Sequence, residues 1–292
     1  MLLNLKEQKI IQEGKWDLII RSTTGFMELN LKELFRYKDL ILLFVRRDFV
    51  SVYKQTILGP IWFVFQPLMT ALTFMFVFGG LANIHTGKLP QFLFYMSSLV
   101  SWNYFADCVN KTASTFVNNA SVFGKVYFPR LAVPVSVVIS SMISFLIQFL
   151  LFLGIMLYNL GKGVPIQPNW YILLTPLLIL IMAGLGLGMG IIISSLTTKY
   201  RDLRFLIGFG IQLMMYVSCV IFPLENITSP TKRMLILANP MSIINECFRF
   251  AYMGQGYFSW MAIAYCMLVT VVLLLVGTAV FTKVERNFMD TI

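Results

Sequence analysis

Charge is scarce in this chain. Of its 292 residues only 12% are Asp, Glu, Lys or Arg, 58% are hydrophobic, and the mean hydropathy is +0.78. A soluble domain carries about 25% charged residues, so a water-soluble core is excluded as the main architecture. Histidine occurs once, at His85, which argues against metal catalysis through imidazole ligands. The four cysteines, Cys108, Cys219, Cys247 and Cys266, show no Cys-x-x-Cys spacing. They read as packing residues, with a Cys219–Cys247 disulfide as the lesser alternative. A nucleotide-binding P-loop is missing too: the Gly-Lys pairs at Gly14, Gly87, Gly124 and Gly161 are followed by Trp, Leu, Val and Gly, never by Ser or Thr. Acids are few. Only Asp107 approaches the interior of an apolar run, and Lys111 one turn on favours an interfacial ion pair over a proton relay. The acids outside the expected cytoplasmic face are Glu225 and Glu246, too sparse for an intramembrane hydrolase or glycosyltransferase. Residues 1–30 lack the apolar stretch of a secretory signal, so the N-terminus is expected to stay in the cytoplasm.

What the chain has in abundance is long runs without charge. These cover 55–87, 89–106, 131–161, 163–198, 205–224 and 250–282. A bilayer core takes about 20 apolar residues per helix, so six spans are expected, near 58–80, 91–109, 131–157, 170–196, 204–223 and 259–282. With the N-terminus inside, the inner segments hold 18 Lys and Arg and the outer loops 5, which places both termini in the cytoplasm. The net charge of +10 is dispersed through loops and does not form the basic face a nucleic acid would need.

The predicted organisation is an all-α membrane protein. A cytoplasmic arm (1–29) precedes an amphipathic helix (30–56), in which Leu31, Leu34, Phe35, Leu42, Val45, Phe49 and Val52 recur at helical steps with charges between them. A helix in the membrane interface is the first reading, a surface helix of a small soluble domain the second. The six-span domain (57–282) and a cytoplasmic tail (283–292) follow. Within the domain, the stretch Met234 to Asn245 is too short to cross and is broken at Asn239-Pro240. Residues 223–257 therefore read as paired re-entrant or interfacial helices, or else as an ordinary outer loop. The fourth span carries Gly184, Gly186, Gly188 and Gly190; two overlapping small-xxx-small pairs point to close helix packing, since the spacing of a nucleotide-binding glycine loop is not met.

Two inner loops look suited to a soluble partner, Asn118 to Arg130 and Thr198 to Arg204. Tyr95, Ser98, Trp102 and Phe105 share a helical face. Together with Trp62 and Gln66 on the first span they could line a path for a glycan, since aromatic rings match the apolar faces of sugars; lipid-facing packing is the alternative. Arg46, Arg47 and Lys54 at the inner rim would attract either anionic lipid head groups or the phosphates of a lipid anchor.

The stretches Leu34 to Leu40, Arg47 to Pro67, Lys125 to Arg130, Tyr200 to Arg204, Ala238 to Met241 and Val284 to Asp290 resemble the ABC-2 permeases that export bacterial polysaccharides. The resemblance runs in order over residues 30–292. It implies a homodimer in the bacterial inner membrane, working with two copies of a separate ATPase subunit that holds ATP and Mg, with no cofactor in this chain. It further implies coupling to that subunit through Asn118, Asn119, Ser121, Phe123, Lys125 and Tyr127 and through Tyr200, Arg201 and Asp202. A gate would fall at 222–253, with Phe222, Pro223, Asn239, Pro240 and Met253. The expected substrate is a lipid-linked polysaccharide, O-antigen first, with capsule and teichoic acid left open. An exporter of drugs or small lipids, and an ATP-independent channel or enzyme acting on lipid-linked sugars, stand as alternatives.

Overall fold

The computed structural model describes residues 31–54, 59–87, 89–119, 123, 128–199 and 202–288. The expected arm at 1–29 lies outside these residues. Every regular element among them is helical. The α-helices in chain order are α1 (Leu31–Arg36), α2 (Lys38–Lys54), α3 (Trp62–Phe74), α4 (Gln91–Ala113), α5 (Thr115–Asn118), α6 (Ala132–Gly161), α7 (Thr175–Lys199), α8 (Leu203–Val217), α9 (Pro230–Leu237), α10 (Pro240–Met253) and α11 (Trp260–Phe288).

Four helical segments are long and apolar enough to cross a membrane: Trp62–Leu81, Ala132–Gly161, Trp170–Thr197 and Trp260–Val284. These coincide with four of the six expected spans. The other two differ in kind. α4 has ample length at 23 residues, but Ser97, Ser98, Ser101, Asn103 and Asp107 lower its hydropathy. α8 is apolar yet has only 15 residues, about 22 Å at 1.5 Å per residue, where a straight crossing takes about 30 Å.

α8 stops at Val217, earlier than the charge-free run suggests, because its last carbonyls are claimed from outside. Ser242 Oγ donates to the carbonyl of Val217 at 3.1 Å and Asn245 Nδ2 to that of Ser218 at 2.7 Å. Cys219 then turns the chain at a φ of 53°. α3 passes into a wider π-helical turn at Met75–Leu81, where the N–H of Ala82 reaches back to Val77 at 2.9 Å.

Helix association in lipid rests on close packing and not on expulsion of water, and α7 shows how this is met. A Cβ at Gly184 would collide with Thr270, and one at Gly188 would come within 2.9 Å of the Leu273 backbone, both on α11. A Cβ at Gly186 would collide with Cys108, and one at Gly190 would lie 2.5 Å from Thr112, both on α4. The two interleaved glycine pairs thus seat two different helices on one. α4 is enclosed on its other sides as well, with every residue from Leu93 to Trp102 buried.

α2 buries Ile41 and Phe44 and packs along α6, while Phe35, Leu42 and Leu43 point away from the chain. The partner that the sequence did not reveal for this helix is the N-terminal end of α6.

Candidate functional site

The long helices α4, α7 and α11 each run between two specialised ends. At one end an aromatic cluster joins segments distant in sequence. Phe44 of α2, Phe116 of α5, Phe123, Phe128 and Phe281 of α11 are all buried. Phe116 stacks on Phe281 with centroids 4.6 Å apart; Phe123 lies 5.8 Å from both Phe116 and Phe128, and Phe128 lies 5.8 Å from Phe44. Aromatic pairs at such distances each add about 0.5–1.5 kcal/mol beyond area burial. Arg130 sits over the Phe123 ring at 5.8 Å. Phe116, Phe123 and Phe128 thus form one continuous set of ring contacts that reaches α2 through Phe44 and α11 through Phe281.

Beside this cluster lies a polar cleft of about 460 Å³, lined by Arg47, Asp48, Asn110, Lys111, Asn118 and Asn119 among others. Arg47 bridges Asp48 at 2.8 Å and donates to Asn119 Oδ1 at 3.3 Å. Lys111 pairs with Asp107 at 2.7 Å across one turn of α4, with both side chains well exposed. The structure thus brings Arg47, Asn118, Asn119 and Phe123 to one place. Arg46 and Lys54 lie exposed on α2. Asp202 is exposed at the start of α8. Ser121, Lys125, Tyr127, Tyr200 and Arg201 lie outside the described residues.

At the opposite end, α10 is surrounded. Asn239 caps it by accepting the Met241 N–H at 3.0 Å and donates through Nδ2 to Ser218 Oγ at 2.8 Å. Pro240 takes the first helical position, where its missing N–H costs nothing. Gly254 ends the helix at a φ of 72°. The carbonyls of its last turn are held by the loop before α7: Asn169 N–H donates to Ala251 at 2.9 Å and Asn169 Nδ2 to Phe250 at 3.2 Å. Met253 is buried, whereas Phe222 and Pro223 are half-buried in the turn before α9. The expected break at Asn239-Pro240 is present, with α9 on one side, none of whose residues is buried, and α10 on the other.

Two charges on α10, Glu246 and Arg249, which counting charges assigns to the outer side, are deep inside the chain. Glu246 is 0% exposed and Arg249 1%, and the two form an ion pair. Arg249 lies 4.2 Å from the Phe94 ring centroid and donates to Ser98 Oγ at 3.2 Å. Their opposite signs at a three-residue spacing among aromatics were the available signal. Counting charges to find loops treats each as solvated and so discards it.

Trp62 and Gln66 are exposed on α3. Tyr95, Ser98 and Trp102 are buried within the single chain. Tyr95 packs edge-on against Phe74 and Phe94, at 6.0 and 5.5 Å, and its hydroxyl has no hydrogen-bond partner among the described residues. A further cavity of about 530 Å³, almost wholly apolar, opens between α4, α7, α8, α10 and α11, with Phe105, Met189, Met214 and Met241 in its wall.

Comparison with known proteins fits this layout. The chain is 26% identical over 263 residues to an O-antigen export system permease protein RfbA of Myxococcus xanthus, covering 90% of this chain and 98% of that one. It is 27% identical over 266 residues to proteins of the same name from Klebsiella pneumoniae, with the same coverage. Residues 39–253, from the second residue of α2 to the end of α10, match the family described as ABC-2 type transporter, and the chain belongs to that family.

Proposed function

We propose that this chain is the membrane-spanning permease of an exporter of lipid-linked polysaccharide, with O-antigen as the preferred substrate. The observation that carries the reading is the near full-length similarity to permeases named for O-antigen export. In this reading α3, α4, α6, α7, α8 and α11 are six spans in a bacterial inner membrane, both termini are cytoplasmic, and α2 lies in the membrane interface. Two copies form the conduit and two copies of a separate ATPase subunit drive it, holding ATP and Mg. The sequence supports an external engine, since it has no P-loop and no cluster of intramembrane acids.

Force would enter at residues 118–127 and 200–202. The aromatic cluster around Phe123 supports this, because a push there is transmitted to α2 and α11 at once. Arg46, Arg47 and Lys54 would meet lipid head groups or the phosphates of the lipid anchor. Trp62 and Gln66 would face the glycan. Tyr95, Ser98 and Trp102 would join them once α3 separates from α4, a movement favoured by the unpartnered Tyr95 hydroxyl, which water or sugar would satisfy. Residues 222–253 would form the outer gate.

A second reading, export of small amphiphiles, draws on the apolar cavity of about 530 Å³, a size that suits a drug-like or short lipid ligand. The test is purification of the tagged chain in mild detergent. The polysaccharide reading expects an ATPase subunit to co-purify, its hydrolysis to respond to lipid-linked glycan, and substitutions at 200–202 to uncouple hydrolysis from export. Stimulation by small amphiphiles alone would favour the second reading.

A further inference from the structure

The buried pair on α10 lies inside the proposed gate segment, where neither residue has yet been given a role. Its carboxylate is the meeting point of two loops. Glu246 Oε1 accepts the Leu224 N–H at 3.0 Å as well as the Arg249 guanidinium, and Oε2 accepts the Tyr257 N–H at 3.0 Å. Leu224 precedes it by 22 residues and Tyr257 follows it by 11, so one side chain closes the chain on both sides of α9 and α10. Arg249 carries the connection onward to Ser98 and Phe94 of α4. The neighbouring loops are tied in as well, Asn226 Nδ2 to the His85 carbonyl at 2.9 Å and Asn169 to the end of α10.

A fixed strut would need no charge. Buried ion pairs are commonly no more stable than apolar residues of similar volume, whereas leaving one partner buried and alone is strongly destabilising. Such a pair therefore favours two discrete arrangements: both charges engaged in a dry site, or both hydrated in an open one. Gly256 shows how closely the loop wraps Glu246. A Cβ there would lie 2.6 Å from the Glu246 carbonyl oxygen, at a φ of 136°. Cys247, next to Glu246, donates its thiol to the Tyr257 carbonyl at 3.6 Å and is buried by the same loop.

We propose that Glu246 and Arg249 form a latch that holds the α9–α10 end of the conduit shut and is released when α4 shifts against α10. α4 is the helix that leads directly into α5 and the aromatic cluster at the other end, so the device would let events at one end open the other. This rests on the transport reading above for its purpose, though not for its mechanics.

The native cysteines supply the test. All four are buried, so the full chain in lipid nanodiscs should resist a membrane-impermeant maleimide. In Glu246→Gln, labelling mapped by mass spectrometry should appear at Cys247 at least tenfold faster than in the unaltered chain, with Cys108, enclosed between α4 and α7, still protected. Gly256→Ala should do the same by wedging the loop away with both charges left in place. If Cys108 labels in Glu246→Gln, the bundle has unfolded and Gly256→Ala decides: Cys247 exposed with Cys108 protected supports the latch, and any other pattern overturns it. In the complex with its ATPase subunit, the unaltered chain should label at Cys247 only during ATP turnover. A complex that turns over ATP with Cys247 fully protected overturns the latch and leaves the transport reading standing. If no complex forms, the transport reading fails while the two variants still report on the latch.

Discussion

Asp107–Lys111 and Glu246–Arg249 are both ion pairs within one helix, one turn apart, yet their surroundings give them different weight. The first has side chains 41% and 49% exposed, where water screens the attraction and the pair is worth roughly 0–1 kcal/mol. The second is enclosed and holds two backbone N–H groups besides. Asp107→Asn should therefore change the unfolding free energy by less than about 1 kcal/mol, while Arg249→Met, which strands the Glu246 carboxylate, should cost about 3–5 kcal/mol. Thermal unfolding of the two variants in the same detergent checks the contrast. Tyr95 offers the opposite case, a buried hydroxyl with no partner among the described residues. Tyr95→Phe should stabilise the chain by about 1 kcal/mol, since it removes a desolvated group that gains nothing in this arrangement. If the ring lines the open conduit, export by the same variant should fall even as the melting temperature rises.

At the scale of elements, the glycines of α7 do more than loosen a helix. Gly184 and Gly188 seat α11, and Gly186 and Gly190 seat α4. Gly188→Leu and Gly190→Leu should each lower the melting temperature by several degrees, because overpacking a close contact costs about 1–3 kcal/mol and here the contact on one side is backbone. Gly154 of α6, with open space where its Cβ would be, should accept Ala with no loss and a gain of up to about 1 kcal/mol from helix propensity. The small-residue spacing on α7 was legible in sequence because it is periodic, although which helices it would seat was not, since partner choice is a matter of tertiary packing. The end of α8 was hidden for a related reason. Pro223 bars a helix from continuing past it, but nothing in the composition of 217–222 stops one as early as Val217; there the chain turns at Cys219, and Ser242 and Asn245, more than 20 residues on, take the carbonyls of Val217 and Ser218.

Across the whole molecule, sequence reading succeeded wherever hydropathy alone decides. The runs around α3, α6, α7 and α11 read as helices because an unbroken apolar run of about 20 residues or more in lipid satisfies its own backbone only that way. The loop from Asn118 to Arg130 reads from sequence as suited to a soluble partner, and the structure shows what surrounds its described residues: a cleft shared with Arg47 and an aromatic cluster reaching Phe281. The long-range partners were not legible because aromatic residues occur throughout the chain and periodicity says which face is apolar, not what it meets. Phe123→Leu keeps the site apolar and removes the ring contacts at 5.8 Å. Such a variant should retain ATP hydrolysis in the complex and lose export severalfold, measured as glycan translocated per ATP consumed.

The central claim is that the helices form a conduit without an engine. It is tested most directly by reconstituting the purified chain into vesicles loaded with lipid-linked glycan, with and without its ATPase subunit, and measuring glycan translocation and phosphate release. The account predicts neither activity from the chain alone and both, dependent on ATP, from the complex. Translocation or nucleotide hydrolysis by the chain alone would contradict it.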